Sequence, residues 1–247
     1  MNKKRERLFD EFPKIDTKEW ENIILQDLKG ADYAKRLLWK TDENITVKPY
    51  YRSEDLNELG YLNQDPNEFP FLRGTKEKGN DWRIAQRISE TNPQKANAIA
   101  LELISKGATA LFLNAKEIKN SQDLAKLLDK IDLETIALRF ENHFSYTQLT
   151  EWFLDYVNQQ HIDKTKVTGS FDYDPITYLL LHNKFWKSKE EDLQEILYLQ
   201  QNIGKQLPNF NYISSNGNIL HNCGTTIVQE LAYSLAIANE YIVFATE

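Results

Sequence analysis

Polar side chains stand at or just beyond the ends of short apolar segments in the second half of the chain. These residues are Asn114, Arg139, Glu141, Asp172 and Ser214. If the segments are parallel strands, their carboxyl ends meet at one edge of a sheet, where α/β proteins place ligand-binding and catalytic groups. Such a cluster could contact a substrate, or its members could satisfy one another inside the protein. Pairing of Arg139 with Glu141 or Asp172 is the favoured alternative.

A second possible chemical feature is the segment 171–175, where Asp172 and Asp174 lie two positions apart. Paired carboxylates can serve general acid and base catalysis. Asp174, however, directly precedes Pro175, and an acidic residue before a proline is typical of a helix N-terminus. We therefore expect Asp174 to cap a helix. The charged segment 187–192 is expected to be the solvated start of another helix.

The elements that must position these residues follow a regular order from residue 81 onward. Five short apolar segments are predicted strands: 83–88, 110–114, 135–140, 166–170 and 210–214. Amphipathic helical patterns separate them, and the first of these begins at Asn92-Pro93 and ends before Gly107. Strands that alternate with helices predict βαβ units and a parallel sheet.

Two α/β architectures fit this alternation, an open doubly wound sheet and part of a (β/α)8 barrel. Neither G-x-G-x-x-G nor G-x-x-x-x-G-K-[ST], the glycine-rich phosphate-binding motifs, follows a predicted strand. A complete barrel needs about 250 residues, whereas residues 81–247 provide about five β/α units. We expect a partial TIM barrel, which would be a piece of a longer polypeptide or would complete itself by dimerising.

Residues 1–80 have a different character. They contain one amphipathic helix, in which Trp20, Ile23 and Leu28 fall at helical spacing before Gly30. The rest of this segment has few regular repeats, and a segment of this length without periodicity is uncommon inside a compact domain. We therefore predict an extended N-terminal arm over residues 1–80, laid across another surface, with a domain boundary before residue 81.

Composition argues against several functional classes. A net charge of −7 argues against binding of nucleic acid or an anionic membrane, because both need a basic patch. No apolar run is long enough for a transmembrane helix, and the basic N-terminal residues are not followed by the apolar region of a signal peptide. These features predict a cytoplasmic protein. The single cysteine, Cys223, excludes an internal disulfide and a zinc knuckle, and we expect no metal site.

Four segments match, in order, motifs that occur together in one enzyme family. Residues 67–74, NEFPFLRG, resemble G-E-F-P-[YF]-x-R-G, with Asn67 in place of the first glycine. Residues 82–86, WRIAQ, resemble the barrel-strand motif W-x-I-R-Q, and residues 229–236, QELAYSLA, resemble Q-E-L-A-[FY]-x-L-A. Residues 27–52 resemble an N-terminal segment of the same family, methylmalonyl-CoA mutase. The resemblance implies an isomerase of propionate metabolism, which interconverts methylmalonyl-CoA and succinyl-CoA with adenosylcobalamin.

Two departures separate this chain from the catalytic members of that family. Catalytic subunits carry a T-M-Y insert before W-x-I-R-Q, whose tyrosine faces cobalamin and substrate, but residues 75–81 here, TKEKGND, contain no aromatic residue. A catalytic Tyr-His pair falls on Asn218 and Ile219. His221, in the segment LHNCG, resembles instead the Y-H-N-A-G of the small, non-catalytic subunit. The resemblance is thus to the N-terminal part of a small subunit and implies no catalytic residue in this chain.

The family resemblance implies a structural role for this chain in a heterodimer with a catalytic large subunit. The arm would wrap around that partner through Trp20, Tyr33, Trp39, Tyr50, Tyr51 and Arg73. The cobalamin-binding domain is a separate downstream module, expected to be absent here, so adenosylcobalamin would be held in the complex and no cofactor by this chain. The alternative is a free-standing acyl-CoA-binding or acyl-CoA-isomerising partial barrel that self-associates.

Any substrate contact is expected near the strand ends. The candidates are Arg83, Gln86, Asn114, Arg139, Asp172, Ser214 and His221. Arg83 and Arg87 could bind phosphates of coenzyme A, but salt bridges within the sheet are favoured. His221-x-x-Gly224 resembles the D-x-H-x-x-G loop whose histidine ligates cobalt, yet the aspartate position holds Ile219. A hydrogen-bonded structural role is therefore favoured for His221.

Overall fold

The structure is a computed structural model that describes residue 9, residues 11–79 and residues 81–246. The chain divides into two compact units, Met1–Asn80 and Asp81–Glu247.

The first unit is built from short elements. These are helices α1 (Thr17–Asp27) and α2 (Tyr33–Leu37), strands β1 (Trp39–Lys40) and β2 (Thr46–Val47), and the 3-10 turn Ser53–Leu56. Asp16 and Asp32 cap the two helices, since each carboxylate accepts a backbone N–H three residues on. β1 and β2 form an antiparallel pair. None of the described residues of this unit is buried, so its elements share no apolar core.

The second unit alternates strands and helices. The strands are β3 (Ala85–Ile88), β4 (Ala110–Asn114), β5 (Ala137–Glu141), β6 (Gly169–Phe171) and β7 (Phe210–Asn211). The helices are α3 (Pro93–Ser105), α4 (Ser121–Leu128), α5 (Tyr146–Gln159), α6 (Pro175–His182), α7 (Lys189–Leu199), α8 (Gly217–Asn222) and α9 (Ile227–Thr246). A π-helical turn, Gln200–Gly204, extends α7.

The five strands form one parallel sheet in the order β3-β4-β5-β6-β7. A doubly wound sheet reverses its strand order at a switch point, whereas here each strand pairs with the one before it in sequence, which is the winding of a β/α barrel. The predicted partial barrel of five β/α units is thus confirmed. β4 has the predicted bounds, whereas the other four strands are shorter than expected, and β7 ends at Asn211 rather than at residue 214.

The register places five residues in one row across the sheet: Arg87, Phe112, Arg139, Ser170 and Asn211. Residues opposite each other in adjacent strands share a face, and neighbours along a strand alternate. The alternating residues, such as Leu111, Leu138 and Phe140, are buried in the hydrophobic core on the helix side. The row of Arg87 therefore lies on the opposite face, which would be the inside of a barrel.

The core of the second unit centres on four phenylalanines: Phe140, Phe153, Phe171 and Phe210. Their ring centroids lie 5.1–6.4 Å apart. Beside them, Gly169 begins β6 with φ +150°, and a Cβ placed there would lie 1.9 Å from the carbonyl oxygen of Leu138. This close approach of two backbones requires glycine.

Candidate functional site

A cavity of about 670 Å³ lies at the carboxyl ends of the sheet strands. Its walls include Asn114, His143, Asp172, Asp174, Tyr178 and Trp186. The rings of Tyr178 and Trp186 stack, with centroids 4.1 Å apart and planes 20° apart. Since the carboxyl ends of parallel strands are where barrel proteins build their sites, this cavity is the candidate site of the second unit.

A network of charged side chains lies at the inner face of the sheet beside the cavity. Arg139 forms an ion pair with Asp172 and places its Nε 3.5 Å from Glu141 Oε1. Arg87 Nη2 lies 3.0 Å from the same Glu141 oxygen. Both guanidinium groups lie over the Phe112 ring, at 5.7 and 5.4 Å from its centroid. The two arginines and two carboxylates thus neutralise one another within the protein.

Further hydrogen bonds hold Asp172 in place, and burial affects the ionisation of Glu141. Ser214 Oγ donates to Asp172 Oδ1 at 3.1 Å, and the Tyr146 hydroxyl donates to the Asp172 carbonyl oxygen at 3.1 Å. Burial raises the pKa of Glu141, although the nearby arginines oppose that shift. Three of the sequence-predicted residues, Arg139, Asp172 and Ser214, are therefore brought together, and they are held mainly by each other.

The remaining predicted contact residues lie apart from this network. Asn114 lines the cavity, and its Nδ2 lies 3.5 Å from the Ser89 carbonyl oxygen. Gln86 is exposed and pairs in register with Leu111, so it lies on the other face of β3 from Arg87. The two residues therefore do not act on one ligand.

Arg83 and His221 do not line the cavity at the carboxyl ends of the strands. Arg83 precedes β3 and lines a second cavity of about 310 Å³, whose walls also include Arg139 of the network and the first residues of β3 and β4. His221 lies in the short helix α8, where its Nδ1 is 2.9 Å from Glu230 Oε2 on α9. This close contact between His221 and Glu230 links α8 to α9.

Asp174 is the N-cap of α6, as its position before Pro175 predicted. Its Oδ1 accepts the Thr177 backbone N–H at 2.9 Å and the Tyr241 hydroxyl at 2.6 Å, and its Oδ2 accepts the Asn216 backbone N–H at 2.8 Å. One carboxylate thus joins the start of α6, the segment before α8 and helix α9. A carboxylate engaged in this way positions elements and is poorly placed for acid-base chemistry.

His143, which sequence reasoning missed, is the most enclosed polar group of the cavity wall. Its side chain is 1% exposed, with Nε2 3.0 Å from the Ile118 carbonyl oxygen and Nδ1 2.5 Å from that of Ser145. Those carbonyl contacts favour the protonated ring, but burial outweighs them and lowers the pKa of His143. Its position two residues after β5 was the available signal.

The buried imidazole of His143 predicts a pH-dependent stability. A histidine whose folded-state pKa lies below its unfolded value takes up protons preferentially on unfolding, so stability falls as pH drops through the ordinary histidine range near 6.5. We expect His143→Gln to remove this contribution, which has a slope of at most about 1.4 kcal/mol per pH unit. Urea unfolding between pH 5 and 8 measures it. The exposed His161→Gln is the control, and equal pH profiles for both variants would contradict the prediction.

In the first unit, several predicted partner-binding residues contact one another. The hydroxyls of Tyr33 and Tyr50 both donate to Glu21 Oε1, the former at 3.3 Å. The Trp20 ring meets Tyr50 edge-on at 5.9 Å. The hydrogen bond to Glu21 raises the pKa of Tyr50 to about 12. We name these four residues the Glu21 cluster, and it joins α1 to the segments that follow.

The other predicted partner-binding residues present more of their surface. Trp39 in β1 is 66% exposed. Tyr51 is exposed, and its hydroxyl accepts the Lys48 backbone N–H at 3.2 Å. Arg73 Nη1 donates to the Gln64 carbonyl oxygen at 3.2 Å. The aromatic residues of this unit therefore divide into the mutually contacting rings of the Glu21 cluster and outward-facing rings such as Trp39.

Within the described residues, no group of three or more His, Cys, Asp or Glu side chains is arranged to hold a metal ion. Among the helices of residues 11–79 and 81–246, none is both long and apolar enough to cross a membrane.

Comparison with known proteins connects these features to one family. The family model for methylmalonyl-CoA mutase matches residues 40–117 and 115–247. The chain is 33% identical over 245 residues to the methylmalonyl-CoA mutase small subunit of Porphyromonas gingivalis, covering 98% of this chain and 39% of that protein. It is 26% identical to a methylmalonyl-CoA mutase of Rhizobium meliloti, covering 91% of this chain and 35% of that protein.

A large subunit is also among the similar proteins. The chain is 22% identical to the methylmalonyl-CoA mutase large subunit of Streptomyces virginiae, over 93% of this chain and 35% of that protein. The chain thus spans between about a third and two fifths of the length of these relatives. The family model covers well over half of the chain, in agreement with the five-stranded parallel array. This chain belongs to the methylmalonyl-CoA mutase family.

Proposed function

We propose that this chain serves as the small subunit, or as the N-terminal part of one, of an adenosylcobalamin-dependent methylmalonyl-CoA mutase that interconverts methylmalonyl-CoA and succinyl-CoA. Its role is structural: it supports a catalytic large subunit in a heterodimer. Similarity to a protein named as a small subunit supports the choice of subunit. The observation that carries the structural role is the first unit, Met1–Asn80, which has ordered elements but no buried residue among those described.

The first unit exposes apolar side chains along its whole length. They include Phe12, Trp20, Ile23, Trp39, Tyr51, Phe69 and Leu72. Ordering a backbone costs about 1–2 kcal/mol per residue, and burial of apolar surface is what normally offsets that cost. A segment without its own core gains that burial against another surface, and exposed aromatic residues are typical of interface centres. A wrapping arm on a partner protein accounts for both features.

The polar groups at the carboxyl ends of the strands also support a structural role. Arg139 and Asp172 pair with each other, and Asp174 holds three elements together. Residues 75–81 contain no aromatic side chain, and the position of the family's catalytic histidine holds Ile219. His221 of α8 lies against Glu230 of α9, so we assign no residue of this chain a role toward the cobalt of adenosylcobalamin.

Deletion of residues 1–80, the whole of the first unit, tests the proposal. The full chain and the deleted chain are each expressed together with a methylmalonyl-CoA mutase large subunit and recovered by a tag on the large subunit. We expect recovery of the deleted chain to fall to background, because the apolar surface of the arm is removed. Circular dichroism of the deleted chain is the control for folding of the second unit. If the folded, deleted chain still associated with the large subunit, the arm hypothesis would be wrong.

The cavity of about 670 Å³ has the size of a small-molecule site, and this observation favours a second candidate function. The competing function is a self-associating partial barrel that binds or isomerises an acyl-CoA. Calorimetric titration of the isolated chain with coenzyme A esters separates the two. Binding in the submillimolar range would favour the acyl-CoA function, and absence of binding would favour the structural role.

A further inference from the structure

Residues 67–74, which we name the Phe69 turn, form a closed backbone loop in the first unit. The Asn67 N–H donates to the Gly74 carbonyl at 2.8 Å, which joins the two ends of the turn. Inside it, the Phe71 N–H donates to Glu68 O at 2.7 Å, and the Gly74 N–H donates to Phe71 O at 2.9 Å. Pro70 further restricts the backbone. The turn is therefore held in one shape by its own hydrogen bonds.

The Phe69 turn presents apolar side chains outward. Phe69 is 79% exposed, and its ring meets that of Phe71 edge-on, with centroids 5.9 Å apart and planes 83° apart. Leu72 beside them is also exposed. Phe71 has φ +63°, a left-handed conformation that is rare for a bulky residue. Such conformations persist where the surrounding structure enforces them, and they cluster at functional sites.

The aromatic residues of the Phe69 turn differ from those of the Glu21 cluster in their contacts and exposure. Tyr33 and Tyr50 already use their hydroxyls on Glu21, and Trp20 packs against Tyr50. Phe69 has no polar group to satisfy and lies far more open to solvent. The Glu21 cluster thus braces the unit, whereas the Phe69 turn is available for an external contact.

We infer that the Phe69 turn is the principal anchor by which the first unit binds the large subunit, a statement that rests on the function proposed above. The turn would insert into an apolar pocket on that subunit. The pocket would hold the paired rings of Phe69 and Phe71, with Leu72 at its rim. A turn already fixed in shape loses little conformational freedom on binding. Most of the free energy gained by burying its rings therefore contributes to affinity. Interfaces concentrate their affinity in a few such aromatic residues.

Substitution of Phe69 by alanine tests this inference. Binding of the full chain to a purified large subunit is measured by calorimetry, and the melting temperature of the chain alone is measured in parallel. We expect Phe69→Ala to raise Kd at least tenfold, which is the scale of an interface anchor, without changing the melting temperature. Phe144→Ala, which removes an exposed phenylalanine of the second unit, is the control. It is expected to change Kd less than threefold.

Each other outcome overturns the inference in a recognisable way. If the unsubstituted chain binds the large subunit and Phe69→Ala binds equally well, the turn is not the anchor, while the proposed function stands. If Phe69→Ala lowers the melting temperature of the chain alone, the ring packs within the chain. If light scattering shows that the substitution dissociates a dimer of this chain, the turn contacts a second copy. If the unsubstituted chain does not bind, the proposed function and the inference both fail.

Discussion

Replacement of Gly169 by alanine is expected to destabilise the second unit by about 3 kcal/mol or more, because overpacking and backbone strain act together. The added methyl carbon would lie 1.9 Å from the Leu138 carbonyl oxygen and 2.8 Å from its carbonyl carbon. These are backbone atoms of β5, so no side chain can rotate to make room. Relief requires β6 to move away from β5, which breaks their pairing. Thermal and urea unfolding would measure the loss.

Gly107→Ala is the matched control for this substitution. Gly107 also has a positive φ, +101°, but a Cβ at that position would meet no atom within 4 Å. Alanine there carries only the conformational cost of a left-handed residue, about 1 kcal/mol. The difference between the two variants isolates the clash with Leu138. Equal losses of stability in both variants would show that β6 yields without cost and would refute the close-approach argument.

Replacement of Asp174 by alanine is expected to lower the free energy of unfolding by about 2–4 kcal/mol, since buried donors lose their acceptor and α6 loses its cap. The affected donors are the backbone N–H groups of Thr177 and Asn216 and the hydroxyl of Tyr241. The side chain is buried and joins three separate elements, so neighbouring groups cannot substitute for it. Urea unfolding at neutral pH would measure the loss.

Tyr241→Phe separates the contribution of one partner from that of the whole carboxylate. The Tyr241 hydroxyl donates to Asp174 and accepts the Ile176 N–H at 2.8 Å. Its removal leaves the cap of α6 intact, and we expect a loss of about 1–2 kcal/mol. If Asp174→Ala cost no more than Tyr241→Phe, the carboxylate would act only as the partner of that hydroxyl, and its role in joining three elements would be excluded.

Much of the fold follows from periodicity in the sequence. The pattern that begins at Asn92-Pro93 and ends at Gly107 predicted a helix, and α3 occupies Pro93–Ser105. Strand order was also predictable. When successive βαβ connections all have the same handedness, each strand lies beside the preceding one. Strand length was not, since residues 212–214 are apolar enough for a strand but lie beyond the paired part of β7. Pairing depends on a neighbour, which the local sequence does not contain.

The candidate site was predictable only in part. Residue type and strand-end position identified the pairing of Arg139 with Asp172. The expectation of a solvated helix start at 187–192 is wrong for Asp192, which is 0% exposed and accepts the Trp186 N–H at 2.8 Å. Burial raises the pKa of Asp192. Within a charged segment, the sequence does not distinguish a carboxylate that faces water from one that folds back onto a loop.

The uninterrupted strand order of the second unit also bears on how the protein is made. Each strand from β4 to β7 pairs with the strand that leaves the ribosome immediately before it. Because domains can begin to fold during synthesis, every new strand finds its partner already available, with one helix between them, or two in the case of β6 and β7. The sheet can therefore grow from β3 in the direction of translation, without waiting for a distant segment to arrive.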